Sequence, residues 1–372
     1  MLKRIYIDNF RCLVNFELDF DSINLFLGGN GSGKSTVFEA LRRLQLFIIG
    51  GYPIADIFSY FECTRWQNLS IQRFELEVDG NHGNYKYELA IAHDQNKSHI
   101  HYERLWFDQQ PLLKYEAGEV EIFNDNYSPS PKYPFNFSQS VLSLLQPSQD
   151  NTKITWFKYR IERLVIVQIT PVLMNNNSKQ EEKILSYKME NFVSWYRYIS
   201  QDQGKVYELM SVLQNVLEGF SNIKFEKFSE QDRTLKLKFK SRDDTEKAIE
   251  YYFGELSDGQ KVLLALYTLL YGTQSEDYTL CIDEPENFLA LPEIQPWLIQ
   301  LYDFCSEQKM QALLISHHPE LINYLLASPI GYWFERQSNA PVRVKRISDK
   351  NAENTGLPIS ELIARGWLHE SA

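Results

Sequence analysis

Cysteine is scarce in this sequence, with only four in 372 residues. No two of them stand in a Cys-x-x-Cys spacing, so the usual cysteine pattern of a zinc site is absent. A disulfide scaffold needs a far higher density of cysteines than this. The sequence therefore predicts reduced thiols and a cytoplasmic protein.

Long apolar runs are missing as well. No stretch approaches the roughly 18 uninterrupted apolar residues that a membrane-spanning helix requires. The N-terminal segment, Met1 to Asp8, alternates like a strand and lacks the apolar core of a secretory signal. We therefore expect no membrane partner and no export directed by this sequence.

Positive charge is also in deficit, because 38 lysines and arginines face 49 aspartates and glutamates, for a formal net charge of −11. Proteins that wrap nucleic acid usually carry a basic excess, since the release of counterions from phosphates drives their affinity. Nucleic-acid binding is compatible with the sequence but is not indicated by its charge. It would need a local patch, a dimer or a partner.

Hydrophobic residues make up 44% of the chain and charged residues 23%, as in ordinary folded proteins. Alternation of apolar and polar residues predicts a strand at Phe16–Phe20 and a hairpin between Phe74 and Leu89. The apolar run Ile23–Leu27 predicts a buried strand. Helical spacing of apolar residues predicts a helix from Lys34 to about Phe47, and a helical pattern also covers Glu181–Val216.

A glycine-rich segment, Gly28–Ser35, matches the pattern G-x-x-x-x-G-K-[ST] between the apolar run and the helix that follows it. Glycines let successive backbone N–H groups turn toward phosphates, and the helix N-terminus adds positive potential. Lys34 would neutralise the β- and γ-phosphates, and Ser35 would bind Mg²⁺. The predicted nucleotide-binding residues here are Asn30, Gly31, Ser32, Gly33, Lys34, Ser35 and Thr36.

Two carboxylates end a second apolar run, Tyr278–Ile282. Asp283 at the strand end can hold the coordination shell of Mg²⁺. Glu284 points to the other side and can polarise an attacking water as a general base. An apolar run followed by Asp-Glu is common by itself, but the phosphate loop upstream favours the catalytic interpretation.

The segment Leu256–Gln260, with the sequence LSDGQ, precedes an apolar helix predicted from Lys261 to Leu270. In isolation Ser257 is typical of a helix N-cap. Its position shortly before Asp283 resembles the arrangement in ABC-class ATPases of the SMC, RecF and OLD group. The segment is similar to their signature motif, with Asp258 in place of the more usual glycine.

This resemblance implies ATP and Mg²⁺ as cofactors and a homodimer bridged by two ATP molecules. In such a dimer Ser257 and the helix N-terminus, with Gly259, would contact the γ-phosphate bound to the other copy. The resemblance also identifies His317 as a switch histidine that hydrogen-bonds the γ-phosphate.

The resemblance leaves two further nucleotide contacts open. Arg11 is similar to an N-terminal arginine that reaches the nucleotide or DNA in relatives, although an ordinary surface arginine is an equal alternative. A glutamine of the Q-loop is also expected. We favour Gln139, with Gln67 and Gln168 as rivals.

The predicted fold is α/β, a P-loop ABC-ATPase head with a β-rich subdomain and a helical signature-motif subdomain. Residues 1–125 would form the N-terminal half of the nucleotide domain, with the phosphate loop and a β-rich insert. Residues 126–254 would form an inserted helical and β subdomain. Residues 255–372 would carry the signature motif, the carboxylates, the switch histidine and a C-terminal tail.

The implied function is Mg²⁺-dependent ATP hydrolysis that drives head dimerisation in a nucleic-acid-associated system, either repair-like or a phage defence. The interval before Leu256 lacks the sustained heptads of a coiled coil, and too few residues follow His317 for a typical nuclease domain. A nuclease or effector would therefore be a separate protein. One alternative is an ATP-locked scaffold with little turnover. A transporter ATPase subunit is disfavoured because the interval between the phosphate loop and the segment Leu256–Gln260 is long.

Overall fold

The computed structural model describes residues 1–94, 97–135, 138–227, 229, 231–240, 248–274, 277–307, 310–318, 323, 330–347, 360 and 361. The chain groups into two compact units. Unit 1 comprises Met1–Leu164 with Pro329–Asn351, and unit 2 comprises Val165–Ser328 with Ala352–Ala372. The segment boundaries at residues 125 and 254 stay predictions.

Unit 1 contains an eight-stranded antiparallel sheet in the order β2-β1-β4-β5-β6-β7-β8-β9. Its strands are β1 Leu2–Asp8, β2 Phe16–Asp19, β4 Ile71–Gly80, β5 Gly83–Asp94, β6 Lys97–Phe107, β7 Gln110–Glu116, β8 Glu119–Ile122 and β9 Tyr133–Pro134. Strands β4 and β5 pair up to Gly80 and Gly83. Asn81 and His82, both at positive φ, close the turn between them, which confirms the predicted hairpin.

Unit 1 also contains three neighbouring strands in the order β3-β17-β18: β3 Ile23–Leu27, β17 Ile330–Glu335 and β18 Arg343–Ile347. Strand β17 runs parallel to β3 and antiparallel to β18. Every residue of β3 is buried, as its apolar sequence predicts.

The helices of unit 1 are α1 Lys34–Gly50, α2 Ile54–Ile57, α3 Val141–Leu144 and α4 Thr152–Glu162. Helix α1 leaves the end of β3 through a short loop. Its apolar residues Val37, Phe38, Leu41 and Leu44 are fully buried, as their helical spacing predicts.

Unit 2 contains three neighbouring strands in the order β10-β15-β16. They are β10 Leu164–Gln168, β15 Tyr278–Asp283 and β16 Met310–Ile315. Strands β15 and β16 run parallel and in register, with Asp283 beside Ile315. The residues that follow each strand therefore leave the sheet at the same edge.

Within the described part of the chain, unit 2 also contains α-helices and a small antiparallel sheet. The helices are α5 Phe192–Ile199, α6 Gln203–Val216, α7 Asp258–Thr273 and α8 Leu291–Ser306. The sheet strands are β11 Asn177–Ser178, β12 Phe220–Lys227, β13 Arg233–Phe239 and β14 Ile249–Tyr252. Helix α7 is buried over most of its length, and the indole of Trp297 donates to the carbonyl of Leu266 at 3.0 Å.

The prediction of a helical segment over Glu181–Val216 is wrong for the residues before α5. The chain is irregular up to Asn191, and only then does α5 begin. Asn191 explains this, because its side chain accepts from the backbone N–H of Ser186 at 2.8 Å and donates to the carbonyl of Ile184 at 2.9 Å. Such local side-chain bonds compete with helix formation.

Among the described residues, no helix is long and apolar enough to cross a membrane.

Candidate functional site

The phosphate loop of unit 1 lies between buried strand β3 and helix α1, as predicted. Three of its glycines have positive φ: Gly28 at 137°, Gly31 at 75° and Gly33 at 103°. Residues with a Cβ rarely adopt these values, so the glycine pattern has a direct conformational cause. The loop also keeps Gly29, Asn30 and Gly31 exposed.

Two glycines of the loop also have no room for a side chain. A Cβ on Gly28 would lie 2.2 Å from the carbonyl oxygen of Phe334. A Cβ on Gly33 would lie 2.6 Å from Cγ2 of Val342 and 3.2 Å from Sγ of Cys12. One side of the loop is thus packed against Phe334, Val342 and Cys12, whereas residues 29–31 remain exposed.

The side chain of Lys34 turns back into this loop. Its ammonium donates to the carbonyls of Gly28 at 2.7 Å and Gly29 at 3.0 Å and to the hydroxyl of Ser32 at 3.4 Å. Lys34 is only 5% exposed, whereas Ser35 is exposed at the start of α1. A buried cation beside exposed backbone at a helix N-terminus is an anion-binding arrangement.

Arg11 lies in a turn of unit 1 and is bound to other side chains. Its guanidinium donates to Glu62 at 2.8 Å and lies 3.9 Å from Glu39. Burial would raise the pKa of Glu39, but hydrogen bonds from Arg42 and Arg43 lower it. The side chain of Arg11 is 42% exposed. Its predicted contact with nucleotide stays a prediction.

In unit 2, Asp283 and Glu284 stand at the end of β15. Asp283 is 5% exposed and accepts a hydrogen bond from the hydroxyl of Tyr187 at 3.3 Å. Glu284 adopts a positive φ of 54°, and its N–H donates to the carbonyl of Ile315 at 2.9 Å. This left-handed turn is costly for a residue with a Cβ, and such strain concentrates at functional sites.

His317 follows β16 and lies beside Glu284. The distance from Nε2 of His317 to Oε1 of Glu284 is 3.9 Å, with both side chains partly exposed, at 40% and 32%. The other oxygen of Glu284 accepts from the side-chain amide of Asn287 at 2.7 Å. The structure therefore brings together the predicted base and the predicted switch histidine.

The signature segment of unit 2 forms the start of α7. The hydroxyl of Ser257 accepts from the N–H of Gln260 at 3.3 Å, and the side chain of Gln260 accepts from the N–H of Ser257 at 3.0 Å. This capping box confirms the N-cap that the sequence predicts. Ser257 is exposed, and a Cβ on Gly259 would lie 3.1 Å from the carbonyl oxygen of Phe288.

The favoured Q-loop residue, Gln139, is not brought to the phosphate loop. Its amide donates to the carbonyl of Gly51 at 2.6 Å, beyond the C-terminal end of α1. Since α1 has 17 residues, that end lies about 25 Å from Lys34. Gln139 is therefore a cap at the far end of the helix.

Of the two rival glutamines, Gln168 is the one that shares a hydrogen-bond partner with a predicted site residue. It ends β10, and its N–H donates to the carbonyl of Tyr187 at 2.7 Å. The hydroxyl of the same Tyr187 binds Asp283. Gln67 lies in unit 1, in a turn closed by its N–H on the carbonyl of Thr64 at 3.1 Å. Gln168 could have been identified from the sequence, because it ends a buried apolar strand as Asp283 does.

Tyr187 is not indicated by the sequence, whereas Glu286 and Asn287 begin the segment Glu286–Pro292, which resembles the D-loop of ABC-class ATPases. Tyr187, Glu286 and Asn287 each contact a predicted site residue through a side chain or backbone group. Among the described residues, no group of three or more His, Cys, Asp or Glu side chains is spaced to hold a metal ion. Unit 1 thus presents phosphate-binding chemistry, and unit 2 presents strand-end carboxylates beside a histidine.

Comparison with known proteins gives a family match over most of the chain. A family model described as an AAA domain matches residues 4–290. An ATP/GTP phosphatase of Helicobacter pylori is 22% identical over 349 residues, which cover 87% of each chain. An OLD nuclease of Thermus scotoductus is 22% identical over 340 residues, 86% of this chain and 59% of the nuclease.

Two further similarities point the same way. A RecF DNA replication and repair protein of Leptospira biflexa is 34% identical over 98 residues, which are 26% of this chain and 25% of that protein. A solved SMC head bound to the C-winged helix domain of ScpA has a TM-score of 0.53 at 12% identity and covers 94% of this chain and 99% of that one. That likeness shows a shared fold and confirms the predicted α/β head. The chain belongs to the AAA domain family and is an ABC-class ATPase of the SMC, RecF and OLD type.

Proposed function

We propose that the chain binds ATP with Mg²⁺ and hydrolyses it, while two copies close over two nucleotides. The observation that carries this proposal is the phosphate loop, where three glycines have positive φ and the buried ammonium of Lys34 donates to the carbonyls of Gly28 and Gly29. This loop has exposed backbone for phosphate oxygens and a cation already inside it. A triphosphate would replace the carbonyls of Gly28 and Gly29 as partners of Lys34.

Hydrolysis would use the strand-end residues of unit 2. Glu284 would accept a proton from the attacking water, since its carboxylate is partly exposed and is held by Asn287. His317 would donate to the γ-phosphate. Gln168 replaces Gln139 as the glutamine that we assign to this nucleotide, because it shares Tyr187 with Asp283.

The residues also fit Mg²⁺. Ser35 offers an exposed hydroxyl at the start of α1, and Asp283 offers a carboxylate at the end of β15. Hydroxyl and carboxylate oxygens are the donors that Mg²⁺ prefers, and the bound ion would neutralise charge on the phosphates.

Dimerisation would use the signature segment. Ser257 is exposed at the N-terminus of α7, where the helix dipole favours an anion. We propose that this turn contacts the γ-phosphate bound to Lys34 of a second copy. Gly259 keeps that turn tightly packed against Phe288.

The biological setting that we propose is a DNA-related process inside the cell, in repair or phage defence, with a nuclease or effector as a separate protein. The support is the set of relatives, which are named an OLD nuclease and a DNA replication and repair protein. The chain spans 59% of that nuclease and 25% of that repair protein, so neither activity is transferred as a whole. With a net charge of −11, any nucleic-acid contact would be local or would come from the partner.

The test is phosphate release from ATP by the purified chain and by two variants. Glu284→Gln removes the base and is expected to abolish hydrolysis while preserving nucleotide binding, whereas Lys34→Ala is expected to abolish both. An ATP-locked scaffold would instead leave the biological activity of Glu284→Gln unchanged. Wild-type turnover in Glu284→Gln would contradict the proposed chemistry.

A further inference from the structure

We infer that the turn after β15 is a positioning device, in which Asn287 fixes the carboxylate of Glu284 and Glu286 fixes the backbone that carries His317. This inference rests on the proposed function of Glu284 and His317. It adds two positioning residues that act through Glu284 and His317.

The first half of the device is the contact of Asn287 with Glu284. The side-chain amide of Asn287 donates to Oε2 of Glu284 at 2.7 Å, and its N–H donates to the carbonyl of Glu284 at 3.2 Å. One carboxylate oxygen is therefore occupied, and the other, Oε1, faces His317 at 3.9 Å. A charge-assisted bond of this length restricts the rotation of the carboxylate.

The second half is the contact of Glu286 with the end of β16. Its Oε1 accepts from the hydroxyl of Ser316 at 2.6 Å and from the N–H of His317 at 3.2 Å. Ser316 is fully buried, so this anchor is shielded from water. The second oxygen of Glu286 is buried and makes no hydrogen bond among the described residues, so Oε1 alone binds this backbone.

The two halves join the ends of neighbouring strands. The N–H of Glu284 binds the carbonyl of Ile315, and the side chain of Glu286 binds the N–H of His317 two residues later. The turn between them is strained, with positive φ at Glu284 and at Phe288. Two cross-connections around a strained turn fix the spacing of Glu284 and His317 better than one would.

The test measures kcat and KM for ATP and the melting temperature of single variants. Asn287→Ala and Glu286→Ala are each expected to lower kcat roughly 10-fold or more, the scale of a hydrogen bond to a charged group. KM is expected to stay within about three-fold, because neither side chain is assigned to bind nucleotide. Glu286→Gln keeps an acceptor oxygen and is expected to retain most of the wild-type kcat.

Matched controls come from exposed residues of the same unit. Asn215→Ala removes an amide that donates to the carbonyl of Ser211 at 3.1 Å, and Glu226→Ala removes an ion pair with Lys236 at 2.6 Å. Both are expected to leave kcat and KM unchanged. A general loss of structure would lower the melting temperature of the test variants and would not be rescued by Glu286→Gln.

Three outcomes are distinguishable. Reduced kcat at constant KM, with rescue by Glu286→Gln, supports the positioning device. Wild-type kcat in Asn287→Ala and Glu286→Ala, with an inactive Glu284→Gln, overturns the device and leaves the proposed function intact. An active Glu284→Gln overturns the proposed function itself, and the device with it.

Discussion

Glu284 and His317 face each other across 3.9 Å at the ends of two neighbouring parallel strands. They are 33 positions apart in the sequence, yet the register of β15 with β16 brings them to the same edge of the sheet. A carboxylate and an imidazole at this distance can act on a water and a phosphate at the same time.

Lys34→Ala should remove nucleotide binding. The ammonium is the cation that the phosphate loop offers to a nucleotide, so its loss should raise the dissociation constant for ATP roughly 100-fold or more. Binding of a fluorescent ATP analogue measures this directly. The control is Lys158→Ala. It also removes an ammonium of unit 1 that donates to a backbone carbonyl, in this case that of Leu145 at 2.6 Å. Equal affinities in the two variants would contradict the role of Lys34.

Gly28→Ala and Gly29→Ala should differ sharply although the residues are adjacent. The new Cβ at Gly28 would clash with the carbonyl oxygen of Phe334 at a φ of 137°, whereas nothing lies within 4 Å at Gly29. We expect Gly28→Ala to lower the free energy of unfolding by about 2–4 kcal/mol. Gly29→Ala should change it by less than about 0.5 kcal/mol. Urea denaturation measures both, and similar losses in the two variants would contradict the loop geometry.

Gln168→Ala should lower the ATPase rate, and Gln139→Ala should not. Gln168 ends a strand in the unit that carries Asp283, whereas Gln139 caps the far end of α1. Steady-state phosphate release compares the two variants. We expect roughly a 10-fold decrease for Gln168→Ala, the scale of one lost hydrogen bond to a charged group. A larger decrease in Gln139→Ala would restore the original assignment.

Glu103 should make the stability of the protein depend on pH. It is fully buried on β6, and burial raises its pKa from 4.5 to about 7 despite bonds from Ser140, Val141 and Tyr87. Because the folded-state pKa is the higher one, the folded protein binds more protons than the unfolded chain between these values. The contribution of Glu103 to the free energy of unfolding is therefore fully present below pH 4.5. It falls by about 3 kcal/mol as the pH rises to 7.

The Glu103→Gln variant isolates this effect. It removes the titrating group but keeps an acceptor oxygen for Tyr87 and Val141. The difference in unfolding free energy between wild type and variant should change by about 3 kcal/mol from pH 4.5 to pH 7, as measured by urea denaturation. A constant difference over that range would show that Glu103 does not titrate there.

Where the structure places residues in the turns and at the strand ends that the sequence predicts, the signals are local. The phosphate loop, the strand-end carboxylates and the N-cap at Ser257 are each encoded by consecutive residues whose backbone requirements are specific. The strand β3 and the buried face of α1 follow from periodicity alone.

The parts that could not be predicted depend on contacts between distant residues. Gln139 is fixed by the carbonyl of Gly51, 88 positions away, and nothing near either residue indicates that bond. The irregular segment before α5 depends on which side-chain bonds Asn191 makes. Glu286 binds the backbone N–H of His317, 31 positions away, and this contact depends on β16 lying beside β15.

We propose that two copies close over ATP, with Ser257 of one copy on the phosphates held by Lys34 of the other. Light scattering of Glu284→Gln with saturating ATP and Mg²⁺ tests it most directly, because this variant should bind nucleotide without turning it over. We predict a mass of twice 43.8 kDa that reverts to 43.8 kDa without ATP and in the double variant Glu284→Gln with Ser257→Arg. A single-copy mass at saturating ATP, or a dimer that persists with Ser257→Arg, would contradict the account.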